Sequence, residues 1–113
     1  MSANPHDRME MAYIEAIYFT ETGDLEQPPG DADLAPLTRA EAFMACSNFR
    51  RAASEMNVDL RDCDPEQIGH DLWLTRNGHG AGFWDRPKLY GTRNATLFTA
   101  LALAMGQHEA FFV

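Results

Sequence analysis

The chain has 113 residues, of which 45% are hydrophobic, and its formal net charge is −8. These totals predict one domain with a single core, and they exclude a chain that is disordered throughout. The two cysteines lack CxxC spacing, which argues against a disulfide-rich scaffold and against a zinc site built on cysteine.

The charge is distributed unevenly along the chain. Residues 1–66 hold fourteen Asp and Glu against five Arg, a net charge of −9, whereas residues 67–113 hold three acids against four basic residues, a net charge of +1. The first part repels nucleic acid and attracts a basic protein surface. The longest apolar run, residues 95–105, is too short to cross a bilayer, and the polar N-terminus does not resemble a secretion signal. We therefore expect a cytoplasmic protein.

Residues 9–22 are predicted to form the first helix, after a flexible N-terminus at residues 1–8. The apolar residues expected to share one face of this helix are Met11, Ile14, Ile17 and Tyr18. Residues 23–37 contain three prolines and two glycines, and they are predicted to form a loop. The acids of this loop have no basic neighbour within it; they are Asp24, Glu26, Asp31 and Asp33.

A second helix is predicted over residues 38–57, where Thr38 and Glu41 form the capping-box pattern T-x-x-E. Its expected apolar face consists of Ala42, Cys46, Phe49, Ala53 and Met56.

A third helix is predicted over residues 64–77. Asp64 is its expected N-cap, Pro65 fits the first turn, and Gln67 is expected to close a second capping box. Ile68, Leu72 and Thr75 are expected to share one face, with Trp73 beside them. The pair Asn77–Gly78 is typical of a helix end.

The fourth helix, residues 93–106, is apolar almost all round, and we expect it to be the central element of the fold. Residues 110–113 have the character of a short strand. The predicted fold is mainly α, a compact bundle of about four helices around this central helix, and a real C-terminal strand would make it α+β.

The segment HDLWLTRNGHGAGFWDR (70–86) is interpreted as a structural turn between the third and fourth helices. Glycines allow the chain to reverse, Phe83 and Trp84 are expected to cover the core, and the polar side chains are expected to bond to loop backbone or to each other. The residues assigned to this structural motif are His70, Asn77, Gly78, His79, Gly80, Gly82, Phe83, Trp84, Asp85 and Arg86.

Two other interpretations of the segment stay open. Nucleic-acid bases could stack on its aromatic residues beside a small basic patch; the residues are Trp73, Phe83, Trp84, Arg76, Arg86, Lys88 and Arg93. A small metal-assisted enzyme could use His70, Asp71 and His79, with His6 or His108 joining from elsewhere, although no metal-site spacing is present. Our expectation is a protein without enzymatic activity, cofactor or bound metal.

The segment GHDLWLTRNGHGAGFWDR (69–86) closely resembles a motif of small proteins encoded by bacteriophages and prophages, which are generally of uncharacterised function. In those proteins a start similar to YIEAIYFTETGD precedes the motif, and a helix and an aromatic stretch similar to HEAFFV follow it. The resemblance covers most of the chain, although RPKLYGTRN (86–94) replaces a more glycine-rich link. It implies a small phage product that binds a host macromolecule and inhibits or redirects it, as anti-CRISPR and anti-restriction proteins do.

The leading hypothesis combines this resemblance with the charge. An acidic surface that imitates DNA would dock on a host defence protein that has a basic, nucleic-acid-binding surface, and the chain would bind no nucleic acid itself. The candidate partner-binding residues are Asp24, Glu26, Asp31, Asp33, Glu55, Asp59, Asp62, Asp64 and Glu66.

Overall fold

The first helix, α1, runs from Pro5 to Glu21 in the computed structural model, which describes residues 4–21 and 34–111. Its first turn is closed because the backbone N–H of Asp7 donates to Oδ1 of Asn4 at 2.9 Å. The prediction of a flexible terminus is therefore wrong for residues 5–8, which are helical.

The buried face of α1 differs from the predicted one. Met11 is 59% exposed, and of the four predicted residues only Ile17 is fully buried. Apolar residues occur nearly all round this helix, so periodicity alone could not select the inward face. The face that packs inward is rich in small side chains, which let the helix approach its neighbours closely; it consists of Met9, Ala12, Tyr13, Ala16 and Ile17.

The second helix, α2, runs from Pro36 to Glu55 and begins two residues before the predicted start. Pro36 occupies the first turn, where its missing N–H costs nothing. The predicted capping box is wrong because Thr38 is buried inside the helix, and its hydroxyl accepts the backbone N–H of Phe111 at 3.1 Å. The predicted apolar face is confirmed except for Met56, which is exposed.

The third helix, α3, runs from Pro65 to Arg76. The carboxylate of Asp64 caps it by accepting the N–H of Glu66 at 3.0 Å, as predicted. Gln67 does not close a capping box, because its amide donates to Asp71 instead. The predicted apolar face and the helix end at Asn77 are confirmed.

The closest helix pair consists of α1 and α3. A Cβ atom at Gly69 would collide with the backbone carbonyl of Met9, so the two backbones touch at this point. Only glycine permits this approach.

The last long helix was expected to be buried all round, and this expectation is wrong. A one-turn helix, α4, spans Pro87–Tyr90, and it leads into α5, which spans Thr92–Ala104. Only Ala95, Phe98 and Ala102 of α5 are fully buried, and Leu103 is 59% exposed. Although α5 is apolar all round, only one side of it packs against the core, and its other apolar side chains remain at the surface.

The described residues contain five helices and no strand, so the prediction of a mainly α fold is confirmed. The segment at 106–111, here called the tail, has no regular secondary structure and runs across the start of α2, where the N–H of Ala35 donates to the carbonyl of Phe111 at 2.8 Å. Among the helices of the described residues, none has both the length and the apolar composition needed to cross a membrane.

Aromatic rings join these elements into one core. Phe49 of α2 stacks on Phe83 with ring centroids 5.4 Å apart, and Phe98 of α5 meets both rings edge-on. Tyr13 of α1 meets Trp73 of α3 edge-on at 5.5 Å. Such ring pairs contribute about 0.5–1.5 kcal/mol each beyond the burial of their area.

Candidate functional site

The segment at 70–86 is organised around one buried carboxylate, that of Asp71, which is 0% exposed. It accepts the hydroxyl proton of Tyr90 at 2.7 Å, Nε–H of Arg86 at 2.9 Å and the amide of Gln67 at 3.0 Å. The hydrogen bond to Asp71 raises the pKa of Arg86, and burial followed by the same carboxylate raises the pKa of Tyr90. Because all of these groups satisfy one another, the cluster is a structural lock between α3 and α4.

The glycines of the segment build the turn that brings Arg86 to Asp71. Gly78 and Gly80 have φ angles of +65° and +80°, which side-chain-bearing residues rarely adopt. At Gly82 a Cβ atom would collide with the side chain of Thr75. The hydroxyl of Thr75 instead accepts the N–H of Phe83 at 3.1 Å, which fixes the following turn at 83–85.

The other expectations for the segment are met only in part. Phe83 is fully buried as predicted, but Trp84 is 53% exposed and does not cover the core. Asn77 bonds to backbone on both sides: it donates to the carbonyl of Trp73 and accepts the N–H of His108. Asp85 accepts the N–H of Gly82 rather than pairing with Arg86.

The two histidines of the segment were expected to bond to backbone, and this expectation is wrong. Within the part of the chain that the structure describes, neither imidazole makes a hydrogen bond. The ring of His79 stacks on Trp73 with the centroids 6.3 Å apart, and His70 lines a small cavity together with Phe19 of α1.

Only some of the residues predicted for the nucleic-acid site and for the metal site are accessible to a ligand. Nucleic-acid bases cannot reach Trp73 or Phe83, since both rings are fully buried. Asp71 cannot serve as a metal ligand while three donors occupy its carboxylate. The metal-binding residue types that do converge in the described residues are on α1, where ligand atoms of His6, Asp7 and Glu10 lie within 4.8 Å of one another.

The predicted acidic surface contains arginines that sequence reasoning did not place there. Asp59 binds Arg61 at 2.8 Å, and this hydrogen bond lowers the pKa of Asp59 to about 2. Asp64 and Glu66 both lie 3.5 Å from Nη2 of Arg8. The loop acids at positions 24, 26, 31 and 33 are outside the described residues.

The two remaining acids of the predicted set, Glu55 and Asp62, are exposed, and neither has an ion pair within the described ranges. The group is therefore less anionic than the sequence suggested, because Arg61, two residues from Asp59, and Arg8, distant in the chain, supply guanidinium groups.

A cavity of about 610 Å³, here called the arginine cavity, lies within this surface. Arg8, Arg50 and Arg61 line it, and its apolar wall includes Ile68. The half-buried thiol of Cys63 also faces the cavity, and burial raises its pKa.

A second acidic surface was missed. The outward side of α1 presents the exposed Asp7, Glu15 and Glu21 around Met11, with the half-buried Glu10 at its edge; these four carboxylates are here called the α1 acidic face. None of these four carboxylates forms an ion pair with a described residue. The sequence analysis missed this face because it had placed Met11 on the buried side of the helix.

A second cavity, of about 510 Å³, lies between α2 and the tail and is here called the α2–tail cavity. Its rim carries the exposed apolar side chains of Leu37, Met44 and Phe111. Glu41 and His108 supply polar groups to its wall.

His108 connects this cavity to the core. The ring is 7% exposed, its Nδ1 lies 2.6 Å from the hydroxyl of Tyr13, and its Nε2 lies 3.5 Å from Oε1 of Glu41 without a hydrogen bond. Burial and then the charge of Arg76 lower the pKa of His108, while Glu41 opposes them. The lowered pKa favours the neutral form of the ring.

The chain was compared with family models, with curated proteins and with solved structures, and nothing matches it in any of the three. The geometry above is therefore the basis for a function.

Proposed function

We propose that the chain is a stoichiometric binding protein that docks the α1 acidic face on the basic surface of a nucleic-acid-binding protein. The observation that carries the proposal is the absence of ion pairs, within the described residues, at all four carboxylates of this face. Unpaired carboxylates on a rigid helix compete with phosphates for such a surface and accelerate association.

The intramolecular contacts of the arginines support the choice of an acidic docking surface. At least five of the nine basic residues in the chain are held by intramolecular acceptors; they include Arg8, Arg51, Arg61, Arg76 and Arg86. The charge that remains for a partner is consequently dominated by carboxylates. Met11 and Phe19, which are 59% and 63% exposed on the same helix, add the apolar contacts that a specific interface needs.

The resemblance to phage and prophage proteins supports the choice of partner. A product of that origin acts in the cytoplasm of an infected bacterium, where defence complexes bind nucleic acid through basic grooves. We therefore propose a host defence complex as the partner and inhibition by DNA mimicry as the mode of action. No catalytic step is part of this proposal.

The test compares two variants that remove the same charge from different surfaces. The first is Asp7→Asn/Glu10→Gln/Glu15→Gln/Glu21→Gln on the α1 acidic face. The matched control is Asp59→Asn/Asp62→Asn/Asp64→Asn/Glu66→Gln beside the arginine cavity. Each immobilised protein is used to capture bacterial proteins, which are then eluted with duplex DNA and identified by mass spectrometry.

The expected result is a DNA-binding protein that wild type and the control capture, that duplex DNA elutes, and that the α1 variant fails to capture. Capture lost only in the control would overturn the assignment to α1 and restore the surface predicted from the sequence. Capture that neither variant changes, or that DNA does not reverse, would overturn the proposal itself.

A further inference from the structure

We propose that the α2–tail cavity binds a ligand in which an ammonium group, a hydrogen-bond acceptor and an apolar substituent lie close together, as in an α-amino amide. The N-terminal residue of a peptide and a free amino-acid amide share this chemistry. The inference goes beyond the proposed function and does not depend on it, because the cavity is separate from the α1 acidic face.

The first step concerns the proton on His108. Nη1 of Arg76 donates to the hydroxyl oxygen of Tyr13 at 3.0 Å, so this hydroxyl is free to donate its own proton to Nδ1 of His108 at 2.6 Å. The remaining proton of the neutral ring is then on Nε2. This N–H makes no hydrogen bond, although Oε1 of Glu41 lies 3.5 Å away, and an acceptor on a ligand at the wall of the cavity would complete it.

The second step concerns charge. Glu41 and Glu109 both line the cavity and disfavour an anion. Arg76 also lines the cavity and offsets one of these two charges, because its hydrogen bonds to the carbonyls of Gly106 and Met105 and to Tyr13 leave its positive charge in place, so these three side chains keep a net charge of −1. A cationic group beside Glu41 is therefore favoured, within a few ångströms of the acceptor for His108.

The third step concerns the rim. Leu37, Met44 and Phe111 are 68%, 55% and 53% exposed around the opening, which is an unusual concentration of large apolar side chains. They offer an apolar substituent a surface on which to pack. A volume of about 510 Å³ accommodates a residue with its flanking peptide group.

The test is a titration of the ¹⁵N-labelled protein with leucinamide, followed by NMR. Saturable shifts are expected at the amides of Glu41, Met44 and His108. N-acetyl-leucinamide, which lacks the charge, is expected to bind about tenfold more weakly, since a charged hydrogen bond is lost.

A matched pair of variants locates the charge. Glu41→Gln is expected to weaken leucinamide binding by about tenfold. Glu55→Gln on the same helix lies outside the cavity and is expected to leave binding unchanged. Both residues are exposed, so both variants are expected to fold.

Two further measurements complete the test. The ¹⁵N shifts of the His108 ring report its tautomer, and a proton on Nδ1 would overturn the proposal, as would the absence of saturable shifts or equal binding to both variants. A tripeptide amide that begins with leucine separates the two sources: binding at least equal to that of leucinamide assigns the site to peptide N-termini, and binding of leucinamide alone assigns it to a free amide.

Discussion

At the scale of single residues, three hydrogen bonds stabilise one buried carboxylate. Asp71 has no exposed surface, and its ion pair with Arg86 crosses fifteen residues of sequence. Such a carboxylate is tolerated only while its partners remain, because an unpaired charge inside a protein is costly.

Replacement of Arg86 by Met tests this lock. We expect Arg86→Met to lower the free energy of unfolding by about 3 kcal/mol, since it leaves the Asp71 carboxylate buried with fewer donors. Urea unfolding followed by circular dichroism measures the change. Lys88→Met, an exposed neighbour, is the control, and an equal effect of both substitutions would contradict the structural role of Arg86.

The exposure of Trp84 leads to the opposite expectation. Trp84→Ala is expected to change the free energy of unfolding by less than about 1 kcal/mol, because half of the ring is already in solvent. Trp73 should then supply the fluorescence that remains, and acrylamide should quench it poorly. A large loss of stability would show that Trp84 covers the core after all.

At the scale of elements, the contact between α1 and α3 depends on Gly69. Glycine to alanine in a helix normally stabilises a protein by about 1 kcal/mol. Here the added methyl group meets the carbonyl of Met9, which no side-chain rotation can relieve.

Gly69→Ala is therefore expected to destabilise the protein by about 2 kcal/mol, the usual cost of overpacking. The thermal unfolding midpoint reports the change, and Ser54→Ala, at an exposed position of α2, serves as a control that should be neutral. A Gly69→Ala protein more stable than wild type would show that the helices can separate without cost.

The sequence predicted the elements better than their arrangement. Proline, glycine and capping residues are local signals, so the ends of α3 were predicted correctly at Asp64 and Asn77. The capping box predicted at Thr38 was wrong because the hydroxyl of Thr38 accepts the backbone N–H of Phe111, a residue distant in the chain. The all-round burial expected of α5 was wrong because hydrophobic content alone does not reveal which side of a helix packs inward.

At the scale of the whole molecule, pH should change stability through His108. Its pKa in the folded protein lies below the ordinary value of 6.5, because burial and Arg76 oppose the added proton and only Glu41 favours it. The unfolded chain binds that proton more readily, so the free energy of unfolding should fall as the pH falls through about 6.5 and below.

The midpoint of urea unfolding across this range measures the effect, and His108→Gln should reduce its dependence on pH. Asp59 contributes in a separate window, since its pKa is lowered to about 2 and its contribution is lost only between pH 4 and that value. An unchanged slope in His108→Gln would assign the pH dependence to other groups.

The candidate sites were the least predictable feature, because each depends on residues far apart in the chain. Arg8 reaches Asp64 and Glu66 only once α1 lies along α3. The α2–tail cavity likewise requires the tail to cross α2. Charge totals identified an acidic protein, but only the packing shows which carboxylates are left without a counterion.

The two thiols are placed so differently that the unmodified chain contains its own reporter of unfolding. Cys46 is fully buried and its pKa is raised to about 12, whereas Cys63 opens on the arginine cavity. A disulfide reagent should therefore modify Cys63 in the native protein and reach Cys46 only when the helices separate. The rate of the slower reaction phase, the modification of Cys46, would report the separation of the helices without any engineered label.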